Sequence, residues 1–172
     1  MQNTNIQQRG YFPALLQCTA LLLLLGLNAQ AAVKTWDGSS SGNWATAANW
    51  TGNVAPVDGD DLVFPPGAAN LANTNNFAAL KVSSIVFTGS GYTLRGNALT
   101  VTNGISGQQG AGANTVQFNV TLGAAQTFDC VTAGAGQTFS SITNNGFGLT
   151  FSGNGNLTAG GVISGSGGVT KN

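Results

Sequence analysis

One stretch of this chain occurs twice, as Leu99-Thr-Val-Thr-Asn-Gly-Ile-Ser-Gly107 and, 58 positions later, as Leu157-Thr-Ala-Gly-Gly-Val-Ile-Ser-Gly165. The Leu, Thr, Ile, Ser and Gly residues coincide between the two copies. A recurrence among short apolar runs that are interrupted by glycine is typical of stacked coils of one repeating unit. A third of this interval is about 19 residues, which is a plausible length for one coil of a β-solenoid. The recurrence therefore predicts a solenoid with three coils per interval.

The segment Thr115–Leu122 is the clearest strand in the sequence, because apolar and polar residues alternate strictly along it. This period of two predicts a half-buried strand with Val116, Phe118, Val120 and Leu122 facing inward. Six shorter strand candidates are separated by turn residues: Ser84–Thr88, Tyr92–Leu94, Leu99–Thr102, Gln126–Val131, Thr138–Ile142 and Leu149–Phe151. No helical period follows Ala31, so we predict an all-β protein.

The N-terminal segment, residues 1–31, follows the order of a secretory signal peptide. Arg9 precedes an apolar stretch over residues 14–27, and Ala29 and Ala31 supply the small residues of a cleavage site. A membrane anchor is the alternative, but this stretch is shorter than the ~20 apolar residues that span a bilayer. We therefore expect a signal helix that is cleaved after Ala31, and a chain that is exported.

The composition limits the kinds of partner that the exported chain is expected to bind. Residues 32–172 carry four basic and five acidic side chains, with no basic patch for nucleic acid or for an anionic membrane surface. Glycine is abundant, but the low charge and the many β-branched residues favour ordered β-structure over disorder. Cys130 has no partner for an intramolecular disulfide. Its position beside Phe128 at a period of two favours a buried apolar role over a reactive thiol.

The exported chain divides into two regions by composition. Residues 32–80 contain all three tryptophans and four of the five aspartates, whereas residues 81–172 contain neither proline nor tryptophan. An uncovered solenoid end exposes unpaired backbone and apolar interior. We therefore predict that residues 32–80 form an N-terminal cap on a solenoid formed by residues 81–172. The chain stops within its most regular motif, so we expect this solenoid to be incomplete at its C-terminus.

Short motifs at both ends of the exported chain resemble those of a known protein family. The C-terminal motif is Ile163-Ser-Gly-Ser-Gly-Gly-Val-Thr-Lys171. The N-terminal series is Trp36-Asp-Gly38, Asn43-Trp44, Asn49-Trp50, Pro56-Val-Asp-Gly-Asp-Asp-Leu-Val-Phe64, Ile85-Val-Phe87 and Tyr92-Thr-Leu94. The C-terminal motif resembles the opening of the autotransporter-associated β-strand repeat, also called the passenger-associated transport repeat. It has Val169 at a position where that repeat usually has leucine. The series resembles the leader of proteins that carry this repeat.

The resemblance implies a right-handed parallel β-helix that is carried to a bacterial cell surface or secreted. Such helices are usually passengers of an outer-membrane β-barrel translocator, which would lie outside this chain. Together, export, the repeats and the scarcity of catalytic residue types predict a non-enzymatic stalk, adhesin or matrix component. Its expected partners are surface glycans or polymers of a host or matrix, and its only expected contact with a membrane is through the export route.

Few residue types are present for catalysis or for metal binding. The chain contains no histidine and no glutamate, which excludes histidine-dependent triads, histidine zinc sites and glutamate acid/base pairs. The only carboxylate cluster is Asp58-Gly-Asp-Asp61. It is either a turn or, less favoured, a Ca²⁺ site or glycosidase pair, since Asp-Gly steps favour turns and no EF-hand ligand series is present. We predict no catalytic, cofactor-binding or metal-binding residues.

Three tryptophans, Trp36, Trp44 and Trp50, allow two interpretations. Exposed indole rings could stack on sugar rings, which would make this region a carbohydrate-binding module. Alternatively, the rings form an apolar plug over the first coil, and this interpretation is favoured because the region has no core of its own. A β-helical polysaccharide lyase or hydrolase is the third and least favoured function, because general acid/base groups are scarce.

Overall fold

The computed structural model describes residues 31–172. The predicted signal peptide therefore lies outside the described residues except for its last position. Within this range the chain forms fifteen strands, and its only helical segment is a single 3-10 turn at Ala47–Asn49. No helix among these residues has the length and apolar character needed to cross a membrane.

The strands form two parallel sheets. The first sheet contains β1 (Val33–Thr35), β2 (Asp61–Phe64), β5 (Ile85–Phe87), β8 (Ile105–Gly107), β10 (Gln126–Cys130), β12 (Leu149–Ser152) and β15 (Val169–Lys171), in that spatial order. The second sheet contains β3 (Ala72–Asn75), β4 (Lys81–Val82), β6 (Thr93–Gly96), β7 (Leu99–Val101), β9 (Gly112–Leu122), β11 (Ala135–Thr143), β13 (Asn156–Ala159) and β14 (Ile163–Ser164).

The chain alternates between the two sheets and forms a β-solenoid of about five coils. Each coil contributes one strand to the first sheet and then either two short strands or one long strand to the second. The inward residues of the first sheet stack in a column of Leu62, Ile85, Ile105, Phe128 and Phe151. Each member of this column lies either 20 or 23 positions after the one before it. The coils are therefore longer than the recurrence predicts, while the predicted parallel β-helix is confirmed.

The two copies of the recurrent stretch occupy different positions in the solenoid, although the fold that the recurrence predicts is correct. Leu99 stacks over Val120 in the second sheet, whereas Leu157 stacks over Gln137 at a different position of the coil. Likewise, Ile105 lies in the first sheet and Ile163 in the second. Each coil contains several strand and turn units of similar composition, so two similar stretches need not lie on the same face.

A single apolar core fills the solenoid from the Trp36 ring to the Phe151 ring. The predicted alternation in Thr115–Leu122 is confirmed, since Val116, Phe118, Val120 and Leu122 are all buried. Large side chains therefore stack along the axis and exclude water from the space between the sheets, which is the main source of stability in such folds.

Buried amide side chains complete the interior at the corners of the coils. Asn114 accepts a hydrogen bond from the backbone N–H of Tyr92 at 2.9 Å and donates one to the carbonyl oxygen of Gly89 at 3.0 Å. Gln126 similarly accepts from the N–H of Gly104 and donates to the carbonyl oxygen of Val101. These amides satisfy backbone groups that the turns leave without a sheet partner.

The N-terminal end is closed by a loop and by an ion pair. Residues 36–60 carry the three tryptophans over the first coil, while β1 forms the edge of the first sheet. Lys34 occupies the position that stacks on Leu62, and its Nζ lies 3.8 Å from Oδ2 of the buried Asp60. A charged side chain at an inward edge position discourages the addition of a further strand.

The boundary proposed at residue 80 does not separate two structural units. β2 and β3 lie before it, but β2 pairs with β5 and β3 pairs with β6 in sheets that continue beyond it. The closing segment is thus residues 36–60, and residues 61–80 belong to the first complete coil. The last coil, by contrast, is open to solvent, with Val162 71% and Val169 49% exposed.

Candidate interaction surface

The three tryptophans lie inside the protein. Trp36, Trp44 and Trp50 are each 0% exposed, and their rings pack edge to face, with the Trp36 and Trp50 centroids 5.0 Å apart. Each indole Nε1 donates a hydrogen bond to a protein oxygen, for example from Trp44 to Oδ1 of Asn73 at 2.7 Å. The interpretation of these rings as a sugar-stacking platform is therefore wrong, because no ring face reaches solvent.

The carboxylates of the Asp58–Asp61 cluster point to separate structural partners. Asp60 is 2% exposed and accepts hydrogen bonds from the backbone N–H groups of Ala32 and Val57. Asp58 accepts from the N–H of Lys81, and Asp61 accepts from the hydroxyl of Ser84. These bonds join the loop to the first coils, as the turn interpretation of the Asp-Gly steps predicts.

Among residues 31–172, burial raises the pKa of two titratable groups above its ordinary value. Burial raises the pKa of the Tyr92 hydroxyl to about 12, and this hydroxyl donates to the carbonyl oxygen of Pro65. Burial, and then the neighbouring Asp129 carboxylate, raises the pKa of the Cys130 thiol. A buried thiol with a raised pKa is protonated at neutral pH and is a poor nucleophile, as expected for an apolar packing role.

A groove of about 350 Å³ crosses the outer face of the first sheet near β8. Gly104 and Ser106 leave a gap between larger residues of β5 and β10, including Thr127 and Asp129. Gly104 has a φ of +101°, and a Cβ there would lie 2.4 Å from the carbonyl oxygen of Thr127, so glycine is required. Asp129 is the one ionisable side chain that lines this groove, which therefore offers no acid/base pair.

The outer face of the second sheet carries two columns of hydroxyl residues. The first threonine ladder consists of Thr93, Thr115, Thr138 and Thr158, which occupy matching positions on β6, β9, β11 and β13. The second threonine ladder consists of Thr100, Thr121, Thr143 and Ser164 on β7, β9, β11 and β14. Neighbouring residues of a ladder are separated by one strand spacing, ~4.8 Å.

The two ladders differ in how their hydroxyl groups are used. In the second ladder, Asn119 donates to the hydroxyls of Thr121 and Thr143, and Thr143 also contacts Ser164 at 3.3 Å. In the first ladder, the four hydroxyls form no side-chain hydrogen bond with any residue in the range 31–172. Thr93, Thr115 and Thr138 are half-buried and Thr158 is exposed, so this outer face is accessible from solvent without any side-chain bond to break.

A shallow trench runs beside the first threonine ladder. It has a volume of about 290 Å³ and is lined by the small residues Ala113 and Gly136, by Asn156, and by Thr138 and Thr158 of the ladder itself. On the other side of the ladder, the Arg95 guanidinium donates to Oε1 of Gln117 at 2.8 Å. The trench and ladder together are uncharged, and Arg95 lies at the margin.

The ladder was not predicted from the sequence, although the sequence contains its signal. Successive threonines of the first ladder are 22, 23 and 20 positions apart, which is close to the length of one coil. Without knowledge of the coil length, these threonines cannot be distinguished from threonines that favour strands in general.

Comparisons with protein-family models, with curated proteins and with solved structures gave no match to this chain.

Proposed function

We propose that the protein is a non-enzymatic β-solenoid that a bacterium exports to its surface or surroundings, where it serves as a stalk, adhesin or matrix component. The observation that carries the proposal is the division between a filled interior and an exterior that carries few charges. The interior is a continuous apolar core, while the wide second sheet presents threonine, serine and amide side chains outward. Such an exterior supports contact with neutral partners, since binding surfaces for nucleic acid are basic.

Export is supported by the sequence of the N-terminal segment up to Ala31, and the surface location by the resemblance to autotransporter-associated repeats. A solenoid is also suited to a stalk, because each coil contacts only its neighbours and the length grows with the number of coils. The groove near β8 and the trench beside the first threonine ladder hold no pair of ionisable side chains that could serve as acid and base. A binding or structural role therefore accounts for more of the described surface than a catalytic one does.

The experiment that tests the proposal is expression of the full chain in a Gram-negative host, followed by cell fractionation. We expect the product in the periplasm or beyond, with mass spectrometry showing an N-terminus at Ala32. The matched control is the double variant Ala29→Asp/Ala31→Asp, which removes both small residues of the cleavage site and should retain the full mass. Recovery of the uncleaved wild-type chain in the cytoplasm would overturn the proposal.

A further inference from the structure

The first threonine ladder is more regular than the matching outward column of the first sheet, and unlike the second ladder it consists of threonine alone. The matching column on the first sheet reads Asp61, Ser84, Gly104, Thr127, Thr150 and Thr170, with a charge and a gap among its members. On the second sheet, by contrast, the same hydroxyl and methyl groups repeat on four successive coils. Threonine is stiff about χ1 because it is branched at Cβ, so this repetition produces an ordered row of donors and acceptors.

A ligand for this row must be neutral, extended and periodic. It must be neutral because no charge lines the trench, and extended because the four threonines span three strand spacings, ~14 Å. It must be periodic because identical side chains recur at each step. A linear polymer of neutral sugars has all three properties, and its hydroxyl groups both donate and accept hydrogen bonds.

The conformation of the polymer is also restricted. An extended β-1,4-linked chain of glucose or N-acetylglucosamine advances per sugar by an amount close to the strand spacing of ~4.8 Å. Successive sugars are turned over relative to one another, so every second sugar presents the same edge to every second threonine. An α-1,4-linked glucan coils and leaves the row after a few units. The small side chains of Ala113 and Gly136 leave room beside the ladder for the edges of the sugar rings.

We propose that the first threonine ladder and its trench form a binding site for a neutral β-1,4-linked polysaccharide that lies across the coils. The hydroxyls of Thr115 and Thr138 contact successive sugars at the centre of the site, and the Asn156 side chain lies at the edge of the trench. This site deepens the proposed adhesin or matrix function and rests on it. It is distinct from the tryptophan region, whose rings are buried.

The test measures binding of cellohexaose, chitohexaose and maltohexaose to the purified chain by calorimetry. We expect a dissociation constant on the order of 1 mM or tighter for at least one of the two β-1,4-linked chains, and at least tenfold weaker binding of maltohexaose. Thr115→Val and Thr138→Val keep the shape but remove the hydroxyl, and each should weaken binding about threefold to tenfold. Ala113→Leu should weaken binding by filling the trench while leaving every hydroxyl in place.

The matched control is Thr150→Val, which removes a hydroxyl from the outer face of the first sheet. It should leave binding unchanged, and thermal melts should show that all variants remain folded. The proposal is overturned if neither β-1,4-linked chain binds, if maltohexaose binds equally well, or if Thr150→Val weakens binding as much as Thr115→Val. Because binding is measured on purified protein, its failure leaves the export proposal standing, and failed export leaves the binding result standing.

Discussion

Replacement of Phe118 by alanine tests how the closing segment, residues 36–60, packs against the solenoid. Phe118 lies on β9, is 3% exposed, and packs edge to face against Trp44 with ring centroids 5.8 Å apart. Truncation of a buried phenylalanine costs about 3–5 kcal/mol, and the aromatic pair accounts for about 0.5–1.5 kcal/mol of that. Since a domain is stable by only about 5–15 kcal/mol, the variant should stay folded but should melt much earlier.

The measurement is urea unfolding followed by tryptophan fluorescence, because all three indole rings are buried in the native state. The control is Gln117→Ala at the preceding position, where the side chain is exposed and accepts a hydrogen bond from Arg95 at the surface. It should change the unfolding free energy by about 0.5 kcal/mol or less. Equal losses at Phe118 and Gln117 would refute the register of β9, and with it the placement of the ladder residues.

A double-mutant cycle with Trp44→Leu separates the contact from the general loss of core. If the Trp44 ring packs on Phe118, the two changes should be non-additive by about 0.5–1.5 kcal/mol. A coupling free energy near zero would mean that residues 36–60 do not close the core as described.

Three further predictions concern the buried Tyr92 hydroxyl, the aspartates of the closing segment and two glycines in turns. Burial raises the pKa of Tyr92 to about 12, so between pH 10 and 12 the unfolded chain loses this proton before the native chain does. The unfolding free energy should fall by up to roughly 2 kcal/mol over that range, and Tyr92→Phe should flatten that part of a urea-midpoint profile. Asp60→Ala removes two hydrogen bonds to the backbone and leaves the largely buried Lys34 without its ion-pair partner, so it should cost about 2–4 kcal/mol. Asp58→Ala should cost about 1 kcal/mol or less in the same assay. Gly104→Ala places a Cβ 2.4 Å from a carbonyl oxygen and should lower the melting temperature. Gly148→Ala, where nothing lies within 4 Å, should not.

Much of the strand pattern could be predicted because alternation is a local signal. The candidates Gln126–Val131 and Leu149–Phe151 match β10 and β12 to within one residue at each end. The strands β2 and β3 were not predicted, because proline, aspartate and asparagine around them read as turns. In the structure, inward Asn73 and Asn75 on β3 are buried, and Asn75 donates to the backbone of the next turn. Polar residues at inward positions hide a strand from a search for apolar periodicity.

The exposure of the tryptophans could not be decided from the sequence because it depends on contacts that are distant along the chain. Trp44 meets Phe118, 74 positions later, and donates a hydrogen bond to Asn73. A sugar-binding platform and a core plug use the same residue type, and only the packing of the loop against the first coils distinguishes them. The preference for a plug rests on the lack of a local core, and that reasoning agrees with the buried rings.

The ladder is hidden from a search for sequence repeats for a different reason. Coils of unequal length keep their inward columns aligned, so Leu62, Ile85 and Ile105 stack although they are 23 and 20 positions apart. The outward threonines follow the same stacking with intervals of their own, because extra residues are accommodated in the turns. No fixed period aligns all the coils, and the 58-residue recurrence consequently pairs stretches from different faces. In a solenoid of this kind, an ordered outer column can be recognised only after the inward residues have been aligned. Inward and outward residues alternate on the same strands, so the alignment of one set determines that of the other.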